Sequence, residues 1–185
     1  SLPFGRAWAT KITGDVAAIR SGGGAATLAA SDLQQLKDSL RGPLLLSGDP
    51  GYDLARRVRN QSIDKHPALI IQPSGAADVS TAVNFAREKD LLLAVKCGGH
   101  SYAGFGVADG ALQVDLAAFN TVRVDRERRI ASVGGGTRIK ELLTATLAAK
   151  LITPMGACGD VGVAGLALAG GDTAARGLYG TACDN

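Results

Sequence analysis

The sequence predicts a mixed α and β fold organised around one βαβ unit, and three observations carry that expectation. Residues 68–95 hold a short apolar run, a stretch with helical spacing and a second apolar run, all within about thirty residues, the size of a βαβ unit. Two further short apolar runs, Leu112 to Leu116 and Ile130 to Val133, add strands without any internal repeat. The composition, 46% hydrophobic and 20% charged, sits near globular averages and excludes a disordered or fibrous chain.

Residues 1–30 are rich in Ala and Gly and poorly periodic, with Gly22-Gly23-Gly24 marking a loop. Ser31 and Gln34 form a capping-box pattern that opens a helix with Leu33, Leu36 and Leu40 on one face, ended by Gly42-Pro43. A second, polar helix is expected over Tyr52 to Arg59. Residues 1–60 thus read as a helical lead-in, and residues 61–185 as the main body. There, Ala68 to Ile71 is a strand closed by Pro73. Val79, Ala82, Val83 and Ala86 fall at i, i+3, i+4 and i+7 of an amphipathic helix. Leu91 to Val95 is read as a buried strand. Thr137 caps a last helix whose apolar face holds Ile139, Leu142, Leu143 and Leu147.

Charge and aromatic content argue against nucleic acid as a partner. Twenty Lys and Arg against 17 Asp and Glu give a net charge of +3, and the densest stretch, Arg123 to Arg129, alternates signs and reads as a solvated turn. Four Phe, three Tyr and one Trp are too few for a stacking platform. No apolar run approaches the roughly 18–20 residues of a membrane span. Three cysteines, an odd number, make a disulfide framework an unlikely basis for the fold. Chemistry is expected where glycine gathers: 16 of the 25 glycines fall in residues 91–185. The start at Ser1 reads as a trimmed end, and the stop at Asn185 inside a Gly-rich region reads as an incomplete domain. Location is left open.

The segment Lys96-Cys97-Gly98-Gly99-His100-Ser101-Tyr102-Ala103-Gly104 leaves the second strand of the βαβ unit directly. Its glycines free the backbone to turn N–H groups inward into a nest for anions, phosphate above all. It carries neither GxxxxGK[ST] nor GxGxxG. Two readings stay open on these residues alone: an anion-binding nest, or a plain Gly-rich turn with His100 hydrogen-bonded in a structural role. Cys97 and His100 are also spaced as a CxxH pair, but only Cys158, Cys183 and His66 could complete a metal site, and no second close pair exists. No metal is expected.

Gly98-Gly99-His100-Ser101-Tyr102 with Gly104, followed by Leu112-Gln113-Val114-Asp115-Leu116, resembles the FAD-binding loop of the berberine-bridge-enzyme-like flavin oxidases of the vanillyl-alcohol-oxidase (PCMH-type) superfamily. Gly156-Ala157-Cys158-Gly159-Asp160-Val161-Gly162-Val163-Ala164-Gly165-Leu166 is similar to the family's second motif. Gly170-Gly171, Tyr179-Gly180 and Cys183-Asp184-Asn185 keep its order. The resemblance spans about residues 50–185. Lys96 stands where the family has Arg, Cys97 where it has a small residue, and Ala169 and Thr173 where it has glycines.

The resemblance implies a PCMH-type FAD-binding domain, of which 61–185 would be the N-terminal part. It implies FAD held twice, by His100 through the flavin 8-methyl carbon and by Cys158 through position 6. Lys96, Cys97, Gly98, Gly99, Ser101, Tyr102, Gly104, Gly162, Val163 and Gly165 would line the cofactor. Thr137, after Gly134-Gly135-Gly136, would either meet it or only cap its helix. The implied activity takes a hydride from an alcohol, sugar or secondary-metabolite carbon to flavin N5 and passes the electrons to O2, giving H2O2. The substrate base would lie beyond Asn185, in a C-terminal part of the same protein. A dehydrogenase, a singly linked flavoenzyme with Cys158 unattached, and a non-catalytic nucleotide-binding module stay open as alternatives. A piece exposing a cut sheet should need its missing partner. Expressed alone, the 185-residue chain is expected to aggregate; a soluble monomer with a cooperative melt would count against that view.

Overall fold

The computed structural model describes residues 11–185. The expected lead-in begins outside that range, and within it the chain is not purely helical. β1 (Val16–Ile19) and β2 (Ala25–Leu28) form an antiparallel hairpin with Val16 opposite Leu28. Four residues a side, half of them Ala, are too short to register as a strand pattern. α1 (Ala30–Ser39) follows, burying Leu33 and Leu36. Its start corrects the expected capping box. Ala29 is the N-cap, the Ala30 N–H donates to the Asp15 carboxylate at 2.9 Å, and Gln34 Oε1 instead accepts the N–H of Ile12 at 3.1 Å. A cap supplied from outside the helix leaves no trace in the helix's own sequence.

The central sheet has four strands in the spatial order β3 (Leu44–Leu45), β4 (Leu69–Ile71), β6 (Leu112–Asp115), β5 (Leu93–Lys96), with β3 antiparallel and the other pairs parallel. α3 (Ala76–Glu88) carries the chain from β4 to β5, and β6 then enters between them. The twofold side-chain period sorts the strands into two layers. Leu69, Ile71, Leu112 and Val114 share the main core with Leu33, Leu36, Ala82 and Ala86. Ile70, on the opposite face, packs with Leu45 and with Tyr52 and Ala55 of α2 (Tyr52–Arg56). α2 is shorter than expected because Arg57 is already extended. β5 is at the edge of this sheet: Leu91 and Ala94 are buried as expected, but Val95 is 51% exposed. On α3, Val83 is exposed and Phe85 packs towards the core in its place.

A second, smaller layer follows. β7 (Val122–Asp125) and β8 (Ile130–Val133) pair antiparallel, so only residues 126–129 of the charged stretch are a turn. β8 is the strand expected at Ile130 to Val133, whereas in β7 Val122 and Val124 alternate with Arg123 and Asp125, and two apolar positions do not stand out from the charge run. α4 (Ile139–Ala148) packs Ile139 and Leu142 against Val163, at the start of α5 (Val163–Ala169). Leu147 is exposed, and its expected place on the buried face belongs to Thr146. The N-cap is Arg138, whose N–H donates to Glu141 Oε2 at 2.7 Å; Thr137 is not the cap. α6 (Arg176–Tyr179) lies near the end of the chain. No helix of the described residues is long and apolar enough to cross a membrane.

One buried carboxylate fixes the approach to β3. Asp78 accepts the N–H groups of Arg41, Gly42 and Ser74 at 3.0, 3.0 and 2.9 Å, and the Ser74 hydroxyl at 3.0 Å. Burial works against the charged form, but these four donors outweigh it and hold Asp78 below the usual carboxylate range. Its contribution to stability is therefore complete above about pH 4 and is lost as pH falls through the lowered folded value. Asp78→Ala strands three N–H groups and is expected to cost about 3 kcal/mol or more. Urea unfolding at pH 7 would measure that loss, and the variant's stability should also depend less on acid.

Candidate functional site

Three glycine-bearing segments converge beyond the C-terminal ends of β5 and β6: residues 97–104, 134–138 and 156–163. In the first, the carbonyls turn into the protein. Gly98 O accepts from Arg138 Nη1 at 3.3 Å, Gly99 O from the Arg59 N–H at 2.9 Å, Ser101 O from Gly104 N–H at 3.1 Å, and Tyr102 O from Asn60 Nδ2 at 3.0 Å. The N–H groups of Gly98, Gly99, His100, Ser101 and Tyr102 donate to no acceptor among the described residues. Five successive amides without an acceptor, on residues four of whose carbonyls are bonded, are the kind of backbone that can receive an anion. Gly99 and Gly104 make the turn possible, with φ of 68° and 75°.

Backbone contact joins this segment to the third. A Cβ on Gly98 would lie 2.4 Å from Gly162 N, and one on Gly162 would lie 2.1 Å from Cys97 Sγ and 2.5 Å from Gly98 N. Gly159–Val163 is zipped to the start of α4 by three backbone bonds: Ile139 N–H to Val161 O at 3.0 Å, Lys140 N–H to Gly159 O at 3.0 Å, and Val163 N–H to Thr137 O at 2.8 Å. The Arg138 side chain spans the junction, donating from Nη1 to both Gly98 O and, at 2.5 Å, Asp160 O. Cys97 Sγ donates to Gly135 O at 2.7 Å and so fastens the middle segment.

The residues expected at the site divide into two groups. His100 is half-buried, and its ring makes no hydrogen bond among the described residues. Burial first, then the Arg59 and Arg138 cations, push His100 below the usual imidazole range and favour the neutral form. Cys158 is exposed, Tyr102 is 93% exposed, and Ser101 Oγ accepts the N–H of Phe105 at 3.3 Å. A Cβ on Gly165 would meet nothing within 4 Å, so that side of α5 is open.

Lys96, Cys97, Thr137 and Val163 are committed elsewhere. Lys96 is buried beside Asp115, 3.4 Å from its carboxylate, and donates to the carbonyls of Ala55 and Arg57. Burial pushes its ammonium down despite the Asp115 charge. The Thr137 hydroxyl donates to Thr121 O at 3.3 Å, so it serves neither as cap nor as free donor. The Val163 side chain is core. An open cleft of about 550 Å³ runs from Leu45 and Gly51 over Lys96, Asp115 and Gly98 to Arg138. Arg59 and Arg138, which add positive charge beside the amide cradle, belong to no motif, and only the fold brings them there. Among the described residues no three His, Cys, Asp or Glu gather at metal-binding distance.

The arrangement defines an α+β domain in which a glycine loop with unpaired amides and His100 packs on the segment that carries the free, exposed Cys158. A family model described as an FAD binding domain matches residues 67–185, and the chain belongs to that family. It is 31% identical over 147 residues to (R)-6-hydroxynicotine oxidase of Paenarthrobacter nicotinovorans, covering 80% of this chain and 32% of that protein. Among solved structures, it superposes on Physcomitrella patens BBE-like 1 with a TM-score of 0.77 at 31% identity, covering 83% of this chain and 34% of the other. A chitooligosaccharide oxidase matches with a TM-score of 0.75 at 29% identity, covering 83% and 32%. The chain spans about a third of the length of these proteins.

The residues fit FAD. The unpaired amides of Gly98–Tyr102 suit its pyrophosphate, and the neutral His100 and exposed Cys158 suit an electrophilic ring. The junction beneath them has no room for a side chain. Gly162→Ala is expected to destabilise the chain by about 1–3 kcal/mol through overpacking against Cys97. Gly165→Ala, facing open space in a helix, should be neutral or slightly stabilising. Parallel thermal melts of the two variants would test the contrast.

Proposed function

We propose that this chain is the FAD-holding part of an oxidase that takes a hydride from a carbon of an alcohol, sugar or secondary metabolite and delivers the electrons to O2 as H2O2. One observation carries the reading: the five unpaired amides of Gly98–Tyr102 lie on the segment whose glycine backbone abuts the Cys158 segment. That arrangement supports a ligand with a pyrophosphate that two side chains could hold, His100 at the 8-methyl carbon and Cys158 at position 6. FAD, when bound, supplies the hydride acceptor and the route to oxygen.

The chain's own residues would orient and tune. Gly98–Tyr102 would bind the pyrophosphate, with the Arg59 and Arg138 charges favouring it. His100, kept neutral, has the lone pair a nucleophile needs. Gly165 leaves room beside α5. Residues 61–185 would be the first part of the FAD domain. The substrate surface and base would come from the region that fills the other two thirds of the relatives. The names of the relatives, a hydroxynicotine oxidase and a chitooligosaccharide oxidase, support a small-molecule substrate.

Intact mass and visible spectrum of the denatured, ligand-stripped protein test the reading. A chain heavier by one FAD and still yellow is expected. Cys158→Ala should keep the added mass through His100 but change the spectrum, and the double change of His100 and Cys158 to Ala should return the bare mass. A wild-type chain at its bare mass would sink the two-bond assignment.

A further inference from the structure

We infer that Arg138 is a positioning residue for flavin attachment at His100: its guanidinium clamps the His100 segment onto the Cys158 segment and sets the register between the two attachment points. This inference rests on the covalent FAD reading above and adds a residue that no motif contains.

The geometry separates the two segments by how they are held. The Cys158 segment is anchored to the start of α4 by the three backbone bonds of Gly159, Val161 and Val163, and by the 2.8 Å ion pair of Lys140 with Asp160. It needs no side chain of residue 138 to stay in place. The His100 segment is held from the other side by Arg59 N–H and Asn60 Nδ2. Across the junction, the polar ties to the α4 side are Cys97 Sγ to Gly135 O and the Arg138 guanidinium. Where the two backbones pack directly together, Arg138 adds hydrogen bonds to both segments, to Gly98 O and Asp160 O, from one nitrogen. Its own backbone is fixed by the bond to Glu141 and by the bridge to Gly162. The clamp therefore starts from a fixed point and ends two residues before His100.

Attachment at His100 joins an imidazole nitrogen to the flavin 8-methyl carbon, and each loses one proton. The two electrons released reduce the flavin ring and pass to O2, which becomes H2O2. The chain contributes placement to this step, and a misplacement of about 1 Å can cost a hundredfold in rate. The Arg138 charge also helps keep His100 neutral.

The test uses the full-length protein with Arg138→Met and Arg138→Lys, prepared free of FAD, then supplied with FAD and oxygen and followed by peptide mapping of both sites. In Arg138→Met, attachment at His100 should slow by about ten- to a hundredfold, while Cys158 still takes up flavin. The product is then one FAD on one residue, with the spectrum of a singly linked ring. Arg138→Lys, which keeps the charge and the donors, should recover most of the His100 attachment. A folded Arg138→Met that attaches at both sites at the wild-type rate overturns the inference, and so does equal loss at both. If Arg138→Met does not give a cooperative melt, Arg138→Lys decides: loss at His100 equal to loss at Cys158 overturns it. A wild-type protein with no flavin on either residue overturns the covalent reading itself, and the inference with it.

Discussion

Two glycines that face each other without side chains carry the architecture of the site. Gly98 lies at the start of the loop after β5 and Gly162 is the N-cap of α5, and their backbones approach more closely than any Cβ would permit. Everything chemically interesting lies within a few residues of that contact: His100 on one side, Cys158 on the other, Arg138 across it. The close approach also explains the bonding of the loop. The carbonyls of Gly98, Gly99 and Tyr102 are drawn towards Arg138, Arg59 and Asn60, and the N–H groups of the peptides that follow them point the opposite way.

Each side of the contact is secured independently. The Cys158 segment borrows the first turn of α4, whose free N–H groups at Ile139 and Lys140 would otherwise need other acceptors. The His100 segment grows from β5 and is backed by the run after α2, itself held by the buried Lys96 under Ala55 and Arg57. A buried ammonium among carbonyls and one carboxylate is costly to place, and its use here is to hold the C-terminal end of α2 against the sheet.

The fold's central unit was legible in the sequence because apolar periodicity reports burial directly: Leu69–Ile71, the α3 face around Ala82 and Ala86, and Leu112–Val114 all lie where their spacing put them. Elements held by remote partners were not. The Asp15 cap of α1, the weak β1–β2 hairpin and the β7 strand inside a charged run depend on neighbours that pattern cannot name. At the site, His100, Cys158 and the glycines stood out by motif. Arg59 and Arg138 did not, since an arginine is ordinary until the fold sets it against particular carbonyls. Lys96 and Thr137 were singled out by position in the chain, yet their side chains turn to protein acceptors.

The strand order has a bearing on biosynthesis. β6 is made after β5 but sits inside it, between β5 and β4. A chain emerging from the ribosome therefore shows β5 first with an unfilled gap beside it, and the strand that fills the gap arrives later. The cradle waits longer still, because two of its anchors are Arg138 and the Gly162 segment. The loop's full set of anchors is therefore complete only once these later residues have been made, and until β6 follows, β5 has no strand beside it on the β4 side.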